Sequence, residues 1–186
     1  MNTTDDQQEL FYWVDEQDRV LGSITRAEAH GGSFKIHRGI WVMVFNRNGE
    51  LFLQKRSLSK DLHAGLWSIS VGGHVTYDQT YEEAARREFV EELGIKASPL
   101  KLLGKFRFSG KKETEIDCVY RSRHNGPFEL NQKEIDRGEF FAPSVIEESV
   151  RSAKMQVSNW ALAIMQAELG ILSERPERGE CIIKMF

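Results

Sequence analysis

The hydrophobic positions along this 186-residue chain change period several times, and each change marks an expected element. Leu10 to Val14 reads as a strand, Asp15 to Asp18 as a polar turn, and Val20 to Ile24 as a second strand. Gly39 to Phe45 is apolar and rich in β-formers, the pattern of a buried strand. Asn46-Arg47-Asn48-Gly49 supplies a hairpin turn in which Gly49 is free to take positive φ, and Leu51 to Arg56 pairs back. A loop from Ser57 to Gly65 leads to a short strand, Trp67 to Val71, ended by Gly72-Gly73. The period then turns helical from Tyr81 to Leu93, where Thr80 and Glu83 have capping-box spacing and Gly94 is a C-terminal stop. Further strands are expected at Leu100 to Phe108, Glu115 to Arg123 and Gly138 to Phe141. Pro143 opens a short helix and Asn159 to Leu172 reads as a longer amphipathic one, while Cys181 to Phe186 is compatible with an added edge strand. Strands interleaved with few helices predict α+β or α/β layering around a mixed sheet.

Composition adds boundaries. The length suits one well-buried core, so residues 1–186 are expected to form a single domain. Hydrophobic and charged contents of 40% and 28% are those of a soluble globular protein. No stretch approaches the roughly 20 apolar residues of a membrane helix, and the polar, acidic Met1 to Glu9 segment does not read as a signal peptide. Two cysteines, Cys118 and Cys181, form no framework and suit a reducing cytoplasm. A net charge of -3 argues against a nucleic-acid polymer as partner, yet allows a small anion where positive charge is concentrated locally. A monomer or homodimer is expected.

The chemistry concentrates on the predicted helix. Glu88, Glu91 and Glu92 stand at i, i+3 and i+4 and share a face, where like charges repel. A solvated acidic face would explain them. Yet one and two turns earlier that face carries Ala84, Ala85 and Tyr81, small or aromatic residues that let it lie against the body of the protein. The glutamates then point into a crevice, where crowded carboxylates need a cation, and Mg²⁺ prefers oxygen ligands.

Gly73, five residues, Gln79, seven residues, then Arg87-Glu88-Phe89-Val90-Glu91-Glu92-Leu93-Gly94-Ile95 resembles the Nudix box over 23 residues, with one departure. The resemblance implies a Nudix fold, an α/β/α sandwich with a mixed sheet between helices. It implies Mg²⁺ (or Mn²⁺) held by Glu88, Glu91 and Glu92 with the backbone carbonyl of Gly72, and a substrate containing a diphosphate. Gly73, Gln79, Arg87 and Gly94 would frame the box, and one of its glutamates, or Glu134, would act as general base. The departure is Gln79, where the family has Glu to brace Arg87. An amide still accepts a hydrogen bond from a guanidinium, more weakly than a carboxylate.

Outside the box, Val14 to Val20, His30, His37, Gln54 to Lys60, Gly65-Leu66-Trp67 and Trp160 resemble the isopentenyl-diphosphate isomerases and their hydrolase-like relatives, a branch of the same superfamily. This resemblance implies a metal set at His30, His37, His74, Glu113 and Glu115, suited to Mn²⁺, Zn²⁺ or Mg²⁺. On a strand, Glu113 and Glu115 would face the same side. It also implies Arg56 and Lys60 as phosphate receivers, with Arg26 as a third candidate. The isomerases need a cysteine at the position that is Gly72 here, whereas all three box glutamates are present. The favoured reading is therefore a hydrolase cleaving a nucleoside di- or triphosphate or another linked diphosphate. The alternatives are an isomerase-like enzyme and a non-catalytic diphosphate binder. Trp41, Trp67, Phe106, Phe108 and Trp160 could be core or could stack on substrate, and Lys111 and Lys112 read as a solvated hairpin tip. The N-terminal strands (residues 1–35), the box (73–95) and the C-terminal helices and tail (143–186) are the expected divisions.

Overall fold

The computed structural model describes residues 5–60, 62–96, 99–110, 112–172 and 181–186. Lys111, the first four residues and the 173–180 part of the tail lie outside the described residues. The elements are β1 (Leu10–Val14), β2 (Val20–Thr25), α1 (Arg26–His30), β3 (Ile36–Phe45), β4 (Leu51–Arg56), β5 (Trp67–Ile69), β6 (Val71–His74), α2 (Tyr81–Leu93), β7 (Lys101–Ser109), β8 (Thr114–Arg123), β9 (Ile135–Phe141), α3 (Pro143–Arg151), α4 (Asn159–Leu169) and β10 (Cys181–Lys184).

β3 is the hub of a mixed sheet. It runs parallel to β8 along its whole length, while its other side meets β1, β6 and β4 in turn, all antiparallel. β7 and β10 extend the sheet beyond β8, β2 extends it beyond β1, and β4 carries β5 and β9. Alternate β3 side chains point to opposite faces. Ile40, Val42 and Val44 pack with Ala84, Ala85, Phe89 and Leu93 of α2. Trp41, Met43 and Phe45 pack with Ile146 of α3 and Trp160, Ala161, Ile164 and Met165 of α4. Helices thus cover both faces, which is why Gly39 to Phe45 reads as a continuous apolar run. The fold is α+β, with a mixed sheet between helices. No helix among the described residues is long and apolar enough to cross a membrane.

α2 begins and ends where the capping pattern places it. Thr80 accepts from the Glu83 N–H, the Glu83 carboxylate accepts from the Thr80 N–H, and Gly94 closes the helix in the left-handed region at φ 70. Other boundaries differ. The expected Trp67 to Val71 strand is two strands, because Ser70 breaks it: its hydroxyl donates to Phe52 O (2.5 Å) and accepts from Val44 N (2.9 Å). The chain crosses there from pairing with β4 to pairing with β3. Gly72 and Gly73 lie within β6 rather than ending it. The last helix stops at Leu169, not Leu172, because Gly170 turns left-handed at φ 66. β3 and β9 begin three residues earlier than expected, and the single turn α1 had no counterpart in the hydrophobic pattern.

Candidate active site

The register of β3 assembles the site. Gly39, Ile40 and Trp41 pair with His74, Gly73 and Gly72 on one side, while His37 and Gly39 pair with Glu115 and Asp117 on the other. α2 then crosses behind β6. A Cβ at Gly73 would come within 2.2 Å of the Glu88 carboxyl, and one at Gly72 within 2.5 Å of the Trp41 ring. Only bare backbone lets the helical glutamates approach the strand so closely.

The three box glutamates are not equivalent. Glu92 is 1% exposed and its Oε2 accepts from Gln54 Nε2 (2.9 Å) and Gly72 N (3.2 Å). Glu88 is also buried and meets Arg87 Nη1 at 2.9 Å. The Glu91 side chain is 47% exposed at the mouth and pairs with the same nitrogen at 2.8 Å. Arg87 also donates to the carbonyl of His74 (2.9 Å) and through Nε to Gln79 Oε1 (3.2 Å). Gln79 therefore occupies the bracing position toward Arg87. Burial pushes the Glu88 carboxyl up to about 8 against the pull of Arg87, and pushes Glu92 well above the usual carboxylate range, with Glu88 and Glu134 adding to it. Two buried carboxylates, one held only by neutral donors, are the environment a hard divalent cation satisfies.

Beside them, His30 from α1, His37 from β3, His74 from β6 and Glu115 from β8 bring one ligand atom each to within 4.8 Å of one another. Glu115 Oε1 contacts His37 Nε2 (2.9 Å) and His74 Nε2 (3.1 Å), His30 Nε2 lies 3.1 Å from His74 Nε2, and Glu113 Oε2 lies 3.3 Å from His30. Phe11 stacks on His37 and His74 at centroid distances of 5.5 and 4.4 Å. Burial pulls His74 down to about 3, which keeps its ring neutral, the form that ligates a cation. Burial opposes the charge of Glu115, but His37 and His74 overcome it and hold the carboxyl well below its ordinary range. All five residues of the expected set are brought together.

Both groups border a cavity of about 250 Å³ whose wall also carries Arg26, Arg56, Lys60 and Glu134. Arg26 Nη1 reaches His74 Nδ1 (3.4 Å) and Glu9 (3.5 Å), while Lys60 Nζ contacts Glu134 Oε2 at 3.2 Å. Trp41 and Trp160 line the cavity while remaining in the core, whereas Trp67, Phe106 and Phe108 are core residues only. Lys112 is exposed, as expected of a hairpin tip.

Some residues escaped the sequence reading. Asp5 and Asp6 line the cavity, with Asp5 Oδ1 at 2.5 Å from Lys60 Nζ and 3.4 Å from Arg26 Nη2. Asp117 lies behind Glu115 and accepts from Trp41 Nε1 at 2.6 Å. Burial and the Glu115 charge raise its carboxyl well above the ordinary range. A polar residue inside an apolar strand was the available signal for Gln54 and Asp117; nothing local marked Asp5.

Known proteins share this fold and family. The NUDIX domain family matches residues 35–161. An uncharacterized Nudix hydrolase of Pseudomonas aeruginosa is 39% identical over 144 residues, 77% of this chain and 85% of that protein. An isopentenyl-diphosphate Delta-isomerase of Salmonella paratyphi B is 29% identical over 160 residues, 83% of this chain and 87% of that protein. The crystal structure of DR0079 from Deinococcus radiodurans superposes with a TM-score of 0.73 at 27% identity, covering 86% of this chain and 99% of that one. Fold and site together define a hydrolase acting on phosphorus-containing anhydrides. The chain belongs to the Nudix family.

Proposed function

We propose that this chain is a Mg²⁺- or Mn²⁺-dependent hydrolase that cleaves the phosphoanhydride bond of a nucleoside di- or triphosphate or another linked diphosphate. The observation that carries the reading is the buried Glu88, which lines a cavity walled also by Arg26, Arg56 and Lys60, with Glu92 buried one turn further along α2. Glu88, Glu91 and Glu92, with the Gly72 carbonyl, would hold the cation; His30, His37, His74, Glu113 and Glu115 form a second set with the donor chemistry for another. Bound there, the metal would supply positive charge against the phosphate oxygens and Lewis acidity toward water.

The chain supplies the rest. Arg26, Arg56 and Lys60 receive the diphosphate, the arginines by two-pronged contact and the lysine as a point charge. Glu134, held by Lys60 and by Asn131 Nδ2 (3.1 Å), would take the proton from an attacking water. The new P–O bond forms in line with the anhydride bond that breaks, and the leaving phosphate carries away the electron pair. Gln54 and the Gly72 N–H orient Glu92, and Arg87 orients Glu88 and Glu91.

The isomerase alternative loses support at one position. It needs a thiol where Gly72 stands, and a Cβ there would meet the Trp41 ring at 2.5 Å, so a side chain would require the ring to move. A panel of nucleoside diphosphates, nucleoside triphosphates, sugar nucleotides and prenyl diphosphates, incubated with Mg²⁺ or Mn²⁺, is expected to release orthophosphate, pyrophosphate or a nucleoside monophosphate. Glu92→Gln should lower kcat by orders of magnitude while the circular dichroism spectrum stays native. Undiminished turnover in that variant would overturn the reading. Deuterium entering isopentenyl diphosphate from heavy water would instead establish isomerisation, and heat of binding without product would establish a non-catalytic binder.

A further inference from the structure

The far end of β3 carries a second cleft that shares no lining residue with the first. Phe45, the Asn46–Gly49 turn, and Arg121, Arg123, His124 and Asn125 at the end of β8 surround about 370 Å³. Phe45 lies six residue steps along the strand from Gly39, which is paired with His74, and this places the cleft about 20 Å from the box.

Its chemistry is one-sided. Three arginines line it, with no carboxylate among the lining residues, in a chain whose net charge is -3. Among the described residues, none of Arg47, Arg121 and Arg123 is ion-paired. The carboxylate of the turn, Glu50, is taken by Asn46 Nδ2 at 2.6 Å. Arg121 also stands directly across from Lys101 in the β7–β8 ladder, a like-charge pair that opposes strand pairing.

The Arg121 guanidinium lies 4.2 Å over the Phe45 ring, which fixes its plane, and its Nε is buried with no acceptor. A buried donor left without a partner calls for one. The His124 Nδ1 accepts from the Gly126 N–H at 2.9 Å, which leaves the ring proton on Nε2 as another donor. Arg47 is tied at its backbone, where its N–H donates to Asn125 Oδ1 at 2.9 Å, so its side chain stays available.

We propose that this cleft is a second phosphate site, binding a compact, multiply charged phosphate anion of diphosphate size through Arg47, Arg121 and Arg123. Guanidinium forks match phosphate oxygens in pairs, and three of them call for more acceptors and charge than chloride or a single carboxylate offers. The volume exceeds that of one small ion. The anion could arrive as an inorganic diphosphate or as the phosphate end of a nucleotide; both present the same group to the arginines.

The test follows amide signals of the full chain by two-dimensional NMR, with Mg²⁺ present, during titration with methylenediphosphonate, a diphosphate that cannot be hydrolysed. Saturable shifts are expected at Arg47 and across residues 121–125, separate from those at the box. Arg121→Gln and Arg47→Gln should each move that saturation curve at least tenfold weaker. Arg47→Gln, at the exposed turn, guards against misfolding of the Arg121 variant and should leave hydrolysis unchanged. The non-hydrolysable α,β-methylene analogue of adenosine diphosphate in a parallel arm shows whether a nucleoside adds to the affinity, which identifies the source of the phosphate. Shifts that grow without saturation, that equal-strength sodium chloride reproduces, that both variants leave unmoved, or that occur only at the box would overturn the proposal.

Discussion

At the residue scale, the box shows how one atom changes an expectation. Gln79 keeps the bracing geometry, since its Oε1 accepts from Arg87 Nε at 3.2 Å, but it brings no charge. Arg87 therefore spends its charge on Glu88 and Glu91, the groups assigned to the cation. A carboxylate at position 79 would compete for the guanidinium and release those glutamates. Gln79→Glu is accordingly expected to lower the Mg²⁺ concentration for half-maximal activity by roughly tenfold, the scale of changes behind metal ligands. Metal titration of hydrolysis measures it, and an unchanged or higher requirement would show that Gln79 is not a handicap. Residue identities within the box were legible because its spacing is dense. The partner of Glu92 was not, because Gln54 reaches it only through strand pairing, and Asp117 comes to lie behind Glu115 in the same way.

At the element scale, legibility tracked local hydrogen bonding. α2 was readable to the residue because its two ends are fixed by its own sequence, Thr80 with Glu83 at the start and Gly94 at the finish. α1 carries the same device, with Thr25 accepting from the Glu28 N–H and Glu28 accepting in return. It was invisible to hydrophobic periodicity because five residues span little more than one turn. The β5–β6 break was equally hidden, as Ser70 is a corner only because Phe52 O and Val44 N lie on either side of it. The cap of α2 gives a prediction: Thr80→Ala should cost about 1 kcal/mol of stability. For a chain of this size that lowers Tm by about 2–4 °C, read by thermal unfolding. Serine at the same position restores the acceptor and should restore most of the loss. If alanine and threonine unfold together, the cap contributes nothing.

At the scale of the whole molecule, the site is a product of topology. His30, His37, His74 and Glu115 come from four elements and meet because β3 pairs with both β6 and β8. No local pattern reports such a convergence, and only the resemblance to a family brought those residues into one set. The N-terminal segment shows the limit more sharply, because Asp5 closes the cavity from 55 residues away in sequence. Its carboxylate sits 2.5 Å from Lys60 Nζ and 3.4 Å from Arg26 Nη2, so it occupies two of the three cations assigned to the substrate phosphate. A diphosphate and Asp5 present similar oxygen acceptors, and both cannot use those cations fully. If Arg26 and Lys60 receive the phosphate as proposed, substrate binding would include the displacement of Asp5 before the chemical step. Asp5→Asn removes the competing charge while keeping the shape, so KM should fall severalfold with kcat unchanged, measured by steady-state kinetics. The gain should shrink as ionic strength rises, because it is a contest between charges. A KM that rises instead would place Asp5 among the groups that hold the cavity open, and the segment would be support for the site, not its competitor.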